Sequence, residues 1–315
     1  MTDKIISLGD FRKKKEDFSE DSFPDFDDIF GDIFEEDFDD ELPSENPFTI
    51  GDNLPLIDSI YQEYLDSKRL LENGRAAWLA QGPHGWLNLD ERDYLALACN
   101  HATIAKQMCL YDQALAIFQE IYQLDTNDPL KLRYQLMATY LLKQDWQALQ
   151  AFFDSQDYFA EDEGMLVYMT IASLFQDKLD ATKDYLDRII KTNANMKDIL
   201  FNPESAVQEI IWFTDSQSYL SFSRESILVM MAKLSPVMTS AFPFILGSLR
   251  QLLFANQTFI TDSHLNSRQI DDLMELGFYT IQDLSQLSEK DFLALPGFGK
   301  AALAKIKQDG ALFKQ

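Results

Sequence analysis

Between residues 54 and 255 apolar side chains recur every three or four positions, with polar residues between them. That is the spacing of helices that each bury one face. Strand-like alternation is nearly absent and Gly-Asn or Asp-Gly turns are few, so the pattern predicts an all-α chain. Overlaying the helical segments exposes a period. "YDQALAIFQEIYQL" begins at Tyr111, "DWQALQAFFDSQDY" at Asp145 and "LDATKDYLDRIIKT" at Leu179. Ala114, Ala148 and Thr182 are 34 residues apart, as are Phe118, Phe152 and Leu186. A small side chain lets a neighbouring helix approach, and the large one four positions on fills the space beside it. Weaker echoes fall one period later, at Ser216 and Leu220.

This period and pattern resemble the tetratricopeptide repeat, a helix–turn–helix unit that stacks into a solenoid. The likeness covers roughly residues 92–190. Ala102 and Leu136 stand where the family's first helices carry glycine, and Thr182 replaces the third alanine. The resemblance implies a tetratricopeptide-like helical body over 54–255 that binds peptides or other proteins on its concave face. Lys131 and Arg133 of "LKLRYQ" lie near the start of a first helix, placed either to meet an acidic peptide or to stand as solvated helix-end charges.

The third region, 263–315, contains "LALPGFGKAALAKI". Leu295 is expected to close one helix, Gly297 and Gly299 to form a turn, and Phe298 to tuck inward. Ala301, Ala302, Leu303 and Ile306 would run the next helix. Amides at such a turn, aimed outward at the positive end of the following helix, suit a phosphate. This is a helix-hairpin-helix pattern. The longer stretch from Leu265 to Lys307 resembles the C-terminal domain of the bacterial RNA polymerase alpha subunit, and its "SEKD" (288–291) reads as an N-cap followed by acids. The resemblance implies a small helical domain that contacts the DNA minor groove and regulatory proteins. Arg268 takes the place of the groove-entering arginine, and the backbone at Gly297 and Gly299 that of the phosphate-binding turn. Lys300 and Lys305 add positive charge beside it, with Lys307 and Lys314. The chain departs from the family at Asp271, where asparagine is usual, and at Ala301-Ala302, where a lysine–serine pair is usual.

Charge changes this picture. The net charge is −25, and between Glu16 and Glu45 stand fifteen acidic residues and no basic ones, which leaves −10 elsewhere. So acidic a chain repels DNA in bulk, and any contact must come from a local patch. Residues 265–315 carry six basic and seven acidic side chains, close to neutrality. Within the acidic stretch Phe23, Phe26, Phe30, Phe34 and Phe38 are spaced by three or four. Residues 1–50 are expected to be a disordered acidic-aromatic tail. It is either a recognition segment that folds into a partner's groove, or a tail that solubilises the chain or docks back on it.

Little else carries chemistry. Cys99 and Cys109 match no zinc spacing, and His84, His101 and His264 are scattered, so no metal site is expected. No signal peptide is evident, and the most apolar stretch, 227–254, is interrupted by Lys233, Pro236, Pro243 and Arg250. Buried helices of a cytoplasmic protein are expected, without a membrane span. With no phosphate-binding loop, dinucleotide fingerprint or nucleophile motif, the reading is a non-enzyme without cofactor or small-molecule substrate. The combined expectation is an adaptor that binds protein through its repeats and contacts DNA or the transcription machinery through its C-terminal domain. The alternatives are a pure protein-interaction scaffold, and a tail that mimics DNA and screens the basic patch. DNA-contacting versions need Arg268 exposed on the same face as Lys300. An Arg268 buried against Asp271 or Asp272 would favour the scaffold.

Overall fold

The computed structural model describes residues 54–156, 161–212, 219–235 and 237–314. The aromatic stripe Phe23, Phe26, Phe30, Phe34 and Phe38, and Ser216, lie outside the described residues. Helix α1 (Leu54–Ala80) leads through a loop and a 3-10 turn, Leu89–Glu91, into three successive pairs. These are α2 (Arg92–Gln107) with α3 (Tyr111–Leu124), α4 (Leu132–Leu142) with α5 (Trp146–Asp154), and α6 (Glu163–Phe175) with α7 (Leu179–Thr192). Next come α8 (Asn195–Phe201), α9 (Pro203–Trp212), α10 (Arg224–Ala232) and α11 (Val237–Leu253). A 3-10 turn, Ile260–Asp262, opens the last part, which holds α12 (Ser267–Glu275), a 3-10 segment Ile281–Gln286, α13 (Glu289–Ala294) and α14 (Lys300–Gln308). The described residues form an all-α structure with two isolated bridges, Phe259 with Thr280 and Ser288 with Lys314.

The three pairs share one turn. Each first helix ends on a residue with left-handed backbone, Cys109 (φ 61°), Gln144 (φ 60°) or Asp177 (φ 55°). In each, the next amide reaches back five residues: Leu110 to Ala105 at 2.8 Å, Asp145 to Tyr140 at 2.9 Å, and Lys178 to Ser173 at 2.9 Å. That 6→1 bond satisfies a carbonyl the helix end leaves open and reverses the chain. The second helices then return along the first.

Helix α6 packs against both α4 and α10, and these three are buried along nearly their whole lengths. Gly164 makes the approach possible. A Cβ there would stand 2.7 Å from Cε1 of Tyr134 on α4 and 2.9 Å from Sδ of Met230 on α10. Ala114, Thr182, Phe118 and Leu186 are fully buried, whereas Ala148 and Phe152 in the middle pair are half-buried. Leu220 departs from the period: it lies outside any helix and is 76% exposed. Among the described residues no helix is long and apolar enough to cross a membrane, and Pro243 lies inside α11.

Residues 260–311 build a second apolar core from Ile260, Leu273, Ile281, Leu284, Phe292, Phe298 and Ile306. It is joined firmly to the rest. The Phe201 ring of α8 meets Phe259 at 5.5 Å, Tyr279 at 4.9 Å and Phe254 at 6.3 Å. Lys197 pairs with Asp283, and the Tyr279 hydroxyl donates to Asp198 at 3.2 Å. Residues 55–315 form one compact unit.

Candidate functional site

The α13–α14 connection is built from two unlike glycines. Ser288 caps α13 in a reciprocal box with Asp291, and the chain leaves that helix extended at Leu295. Gly297 then takes φ +83°, a backbone that side chains with a Cβ resist. Phe298 bonds back to Leu295 O at 3.2 Å and buries its ring against Phe292, 5.0 Å between centroids. Gly299 differs. Its φ of −106° and ψ of −175° are ordinary extended backbone, and an added Cβ would meet nothing within 4 Å. Nothing within the described chain demands glycine at 299. As the N-cap of α14 it also leaves the first amides of that helix without a side-chain acceptor.

The start of α12 is tied to this turn. Asn266 caps α12 by accepting from Gln269 N at 3.0 Å, while Gln269 Oε1 accepts from Asn266 N at 3.3 Å. The Gln269 amide then donates from Nε2 to Gly297 O at 2.8 Å. Two helix N-termini are thereby held side by side. Arg268, in the first turn of α12, and Lys300, in the first turn of α14, are both exposed. Lys305 is exposed about one and a half turns further along α14.

The ion pairs described in this region use other residues: Lys197 with Asp283, His264 with Asp309, and Lys307 with Glu289 at 2.6 Å. Arg268 is therefore not buried against Asp271 or Asp272. Four of the seven carboxylates already have partners: Asp283 with Lys197 of α8, Glu289 with Lys307, Asp309 with His264, and Asp291, which accepts from Ser288 Oγ at 2.6 Å. Burial alone would raise Asp309, but hydrogen bonds from the His264 backbone and ring hold its carboxyl below the usual value. The Ser288 hydroxyl and amide do the same for Asp291. Near-neutral by composition, the module presents exposed Arg268, Lys300 and Lys305 around the turn.

The two basic residues of "LKLRYQ" part company. Lys131 is exposed, takes a left-handed φ of 54° at the N-cap of α4, and holds Nζ 4.4 Å over the Tyr219 ring. Arg133 is buried, which corrects both roles expected of it. Its guanidinium meets Asp128 at 3.0 Å and Asp162 at 3.2 Å, and the Tyr134 hydroxyl donates to Asp162 at 2.7 Å. Asp162 also caps α6 through Met165 N at 3.0 Å. Arg133 therefore ties α4 to the start of α6, and neither an outside peptide nor bulk solvent reaches it.

Some buried polar groups went unmarked in the sequence. Glu91, with no lysine or arginine bonded to it among the described residues, lies 3.4 Å from the ring Nδ1 of exposed His84 and accepts from Trp78 Nε1, the amides of His84 and Gly85, and Asn88 Nδ2. Its neighbour three residues back, Asn88, was the one available hint. Ser67 Oγ lies 2.8 Å from His101 Nδ1, a contact that could suggest an activated nucleophile. The hydroxyl, however, gives its proton to Tyr64 O at 3.0 Å, so it accepts from the imidazole instead, and both side chains are buried. Burial lowers the His101 pKa, and it pushes the Cys99 thiol up to about 12, which keeps that sulfur protonated. A cleft of about 550 Å³ lies between Pro203, Gly247 and Phe259, where the Arg250 guanidinium stacks 5.0 Å from the Phe259 ring. Comparison with protein-family models, curated proteins and solved structures finds no match to this chain.

Proposed function

We propose that this chain is a non-enzymatic cytoplasmic adaptor that holds a protein partner on its helical body and contacts DNA through its C-terminal module. The body acts as a tetratricopeptide-like solenoid, a reading supported by the turn that α2–α3, α4–α5 and α6–α7 share. The module acts as a helix-hairpin-helix domain similar to that of the polymerase alpha subunit. Arg268 enters the minor groove, where negative potential favours a guanidinium, and the bare first turn of α14 takes a backbone phosphate beside Lys300.

The observation that carries this reading is the bond from Gln269 to Gly297 O at 2.8 Å, because it sets Arg268 and the glycine turn on one edge. Gly299 adds to it: with no internal need for glycine, the missing side chain leaves room for a group from outside. The acidic stretch between Glu16 and Glu45 opposes the approach of DNA, so binding is modest and salt-sensitive in the full chain.

The test is fluorescence anisotropy of the full chain on an A/T-rich duplex at low and moderate salt. It is compared with Arg268→Ala and with a chain whose carboxylates from 16 to 45 are replaced by amides. Expected are binding that falls with salt, a loss of about tenfold or more in Arg268→Ala, and a gain on neutralising the acidic stretch. No binding by the neutralised chain at low salt would leave the pure protein-interaction scaffold.

A further inference from the structure

Cations held away from water in this chain generally face carboxylates: Arg133 meets Asp128 and Asp162, Arg224 meets Asp198 and Glu209, and Lys197 meets Asp283. Two lysines do not. Lys106, near the end of α2, is fully buried, and its Nζ donates to Gln135 Oε1 on α4 at 2.6 Å and to the backbone oxygen of Lys233 at 2.9 Å. Both acceptors are neutral, and an ammonium has three donors. Lys233 itself caps the end of α10 and is half-buried, and the described contacts give its Nζ no acceptor. Lys131, one turn before Gln135 on α4, is exposed and holds its amine over the ring of Tyr219.

The three lysines come from separate parts of the chain, the furthest pair 127 residues apart, and the two bonds of Lys106 join α2 to Gln135, one turn beyond Lys131 on α4, and to the end of α10 at Lys233. They are graded in depth: Lys131 open, Lys233 half-open, Lys106 closed. Only lysines act electrostatically on the inner two among the described residues, and with burial they bring Lys106 down to about 7 and Lys233 to about 8. Leaving buried amines without counter-charge is costly, and this chain has 52 acidic residues from which to supply one. None of the described ones is placed there.

We propose that Lys106, Lys131 and Lys233, with the Gln135 amide, form a binding site for a phosphate-class dianion. Two or three ammonium groups match a doubly charged oxyanion better than a single carboxylate. Lys131 is the entry contact, Lys233 closes on the bound ion, and Lys106 supplies the donor beneath it. Inorganic phosphate and a phosphate monoester present the same oxygens to these amines. The site lies apart from the glycine turn and does not rest on DNA contact by the C-terminal module.

The test uses the full chain, titrated with inorganic phosphate or phosphoserine against chloride at matched ionic strength, and followed by calorimetry and by the thermal midpoint. Saturable binding is expected, several-fold weaker in Lys131→Ala and at least about tenfold weaker in Lys233→Met or Lys106→Met. Lys131 is exposed, so its replacement tests the site without threatening the fold. Lys300→Ala is expected to bind phosphate as the parent does, which separates this site from α14. Tighter binding of phosphoserine would assign the ligand as a monoester, and preference for inorganic phosphate would assign the free ion. No saturable binding, or binding unchanged in Lys131→Ala and Lys233→Met, would overturn the proposal.

Discussion

Glu91 is a carboxylate with no solvent exposure that survives because donors surround it: Trp78 Nε1 at 3.0 Å, His84 N at 2.8 Å, Gly85 N at 3.2 Å and Asn88 Nδ2 at 2.9 Å. Burial pushes its pKa up, but these bonds outweigh burial and hold it at about 2. A carboxyl whose folded pKa is depressed stabilises the fold above its unfolded value and loses that contribution as pH falls through the folded one. Glu91→Gln should therefore cost about 2 kcal/mol at neutral pH in urea unfolding. The gap between parent and variant should close as pH drops from about 4.5, the ordinary glutamate value, towards the folded value of about 2. A gap constant across that range would mean the charge is not what the donors hold. The sequence shows Glu91 only as one more acid. Its burial arises when the loop folds under Trp78, a relation that no local spacing encodes. Arg133 is hidden for the same reason, since Asp162 lies 29 residues further on.

At the scale of elements, the glycine turn separates stability from binding. Serine is a better N-cap than glycine and would accept from the first amides of α14. Gly299→Ser fits the extended backbone, so the protein should gain about 0.5 kcal/mol in thermal unfolding. DNA affinity should fall in the same variant, because the serine occupies the amides and the space a phosphate would need. Stability and affinity that rise together would argue against phosphate at this helix end. Gly164→Ala tests a different requirement. Its methyl would press into Tyr134 and Met230, and about 2 kcal/mol should be lost in chemical denaturation despite alanine's better helix propensity. Many helices were legible: α3 and α7 begin at Tyr111 and Leu179, where the periodic segments begin. The period was less informative past α7. Its next apolar position, Leu220, falls outside any helix, and helix spacing reports a buried face only where a helix persists.

Across the whole molecule, the sequence suggested a boundary between 255 and 263, and the structure places an aromatic joint there. Phe254 and Tyr279 belong to the larger core, and Phe201 touches both along with Phe259. These residues are too far apart in sequence for periodicity to link them. Residues 55–315 should accordingly unfold in one cooperative step. Phe201→Ala removes the central ring, and we expect a loss of about 3 kcal/mol and a second, separable transition in hydrogen exchange, with α12–α14 opening first. Simultaneous opening of both parts in the variant would show that Lys197–Asp283 and Tyr279–Asp198 suffice to hold them together.

That joint also fixes direction. A module hung on a loose linker searches a sphere around its anchor, whereas one bolted through Phe201, Phe259 and Tyr279 keeps a single bearing relative to α8. A partner seated on the helical body would then meet whatever Arg268 and Lys300 grip at a set angle and distance. The chain would work as a carpenter's square: lengthening the connection at 255–258 should leave each grip intact and spoil only the alignment between them.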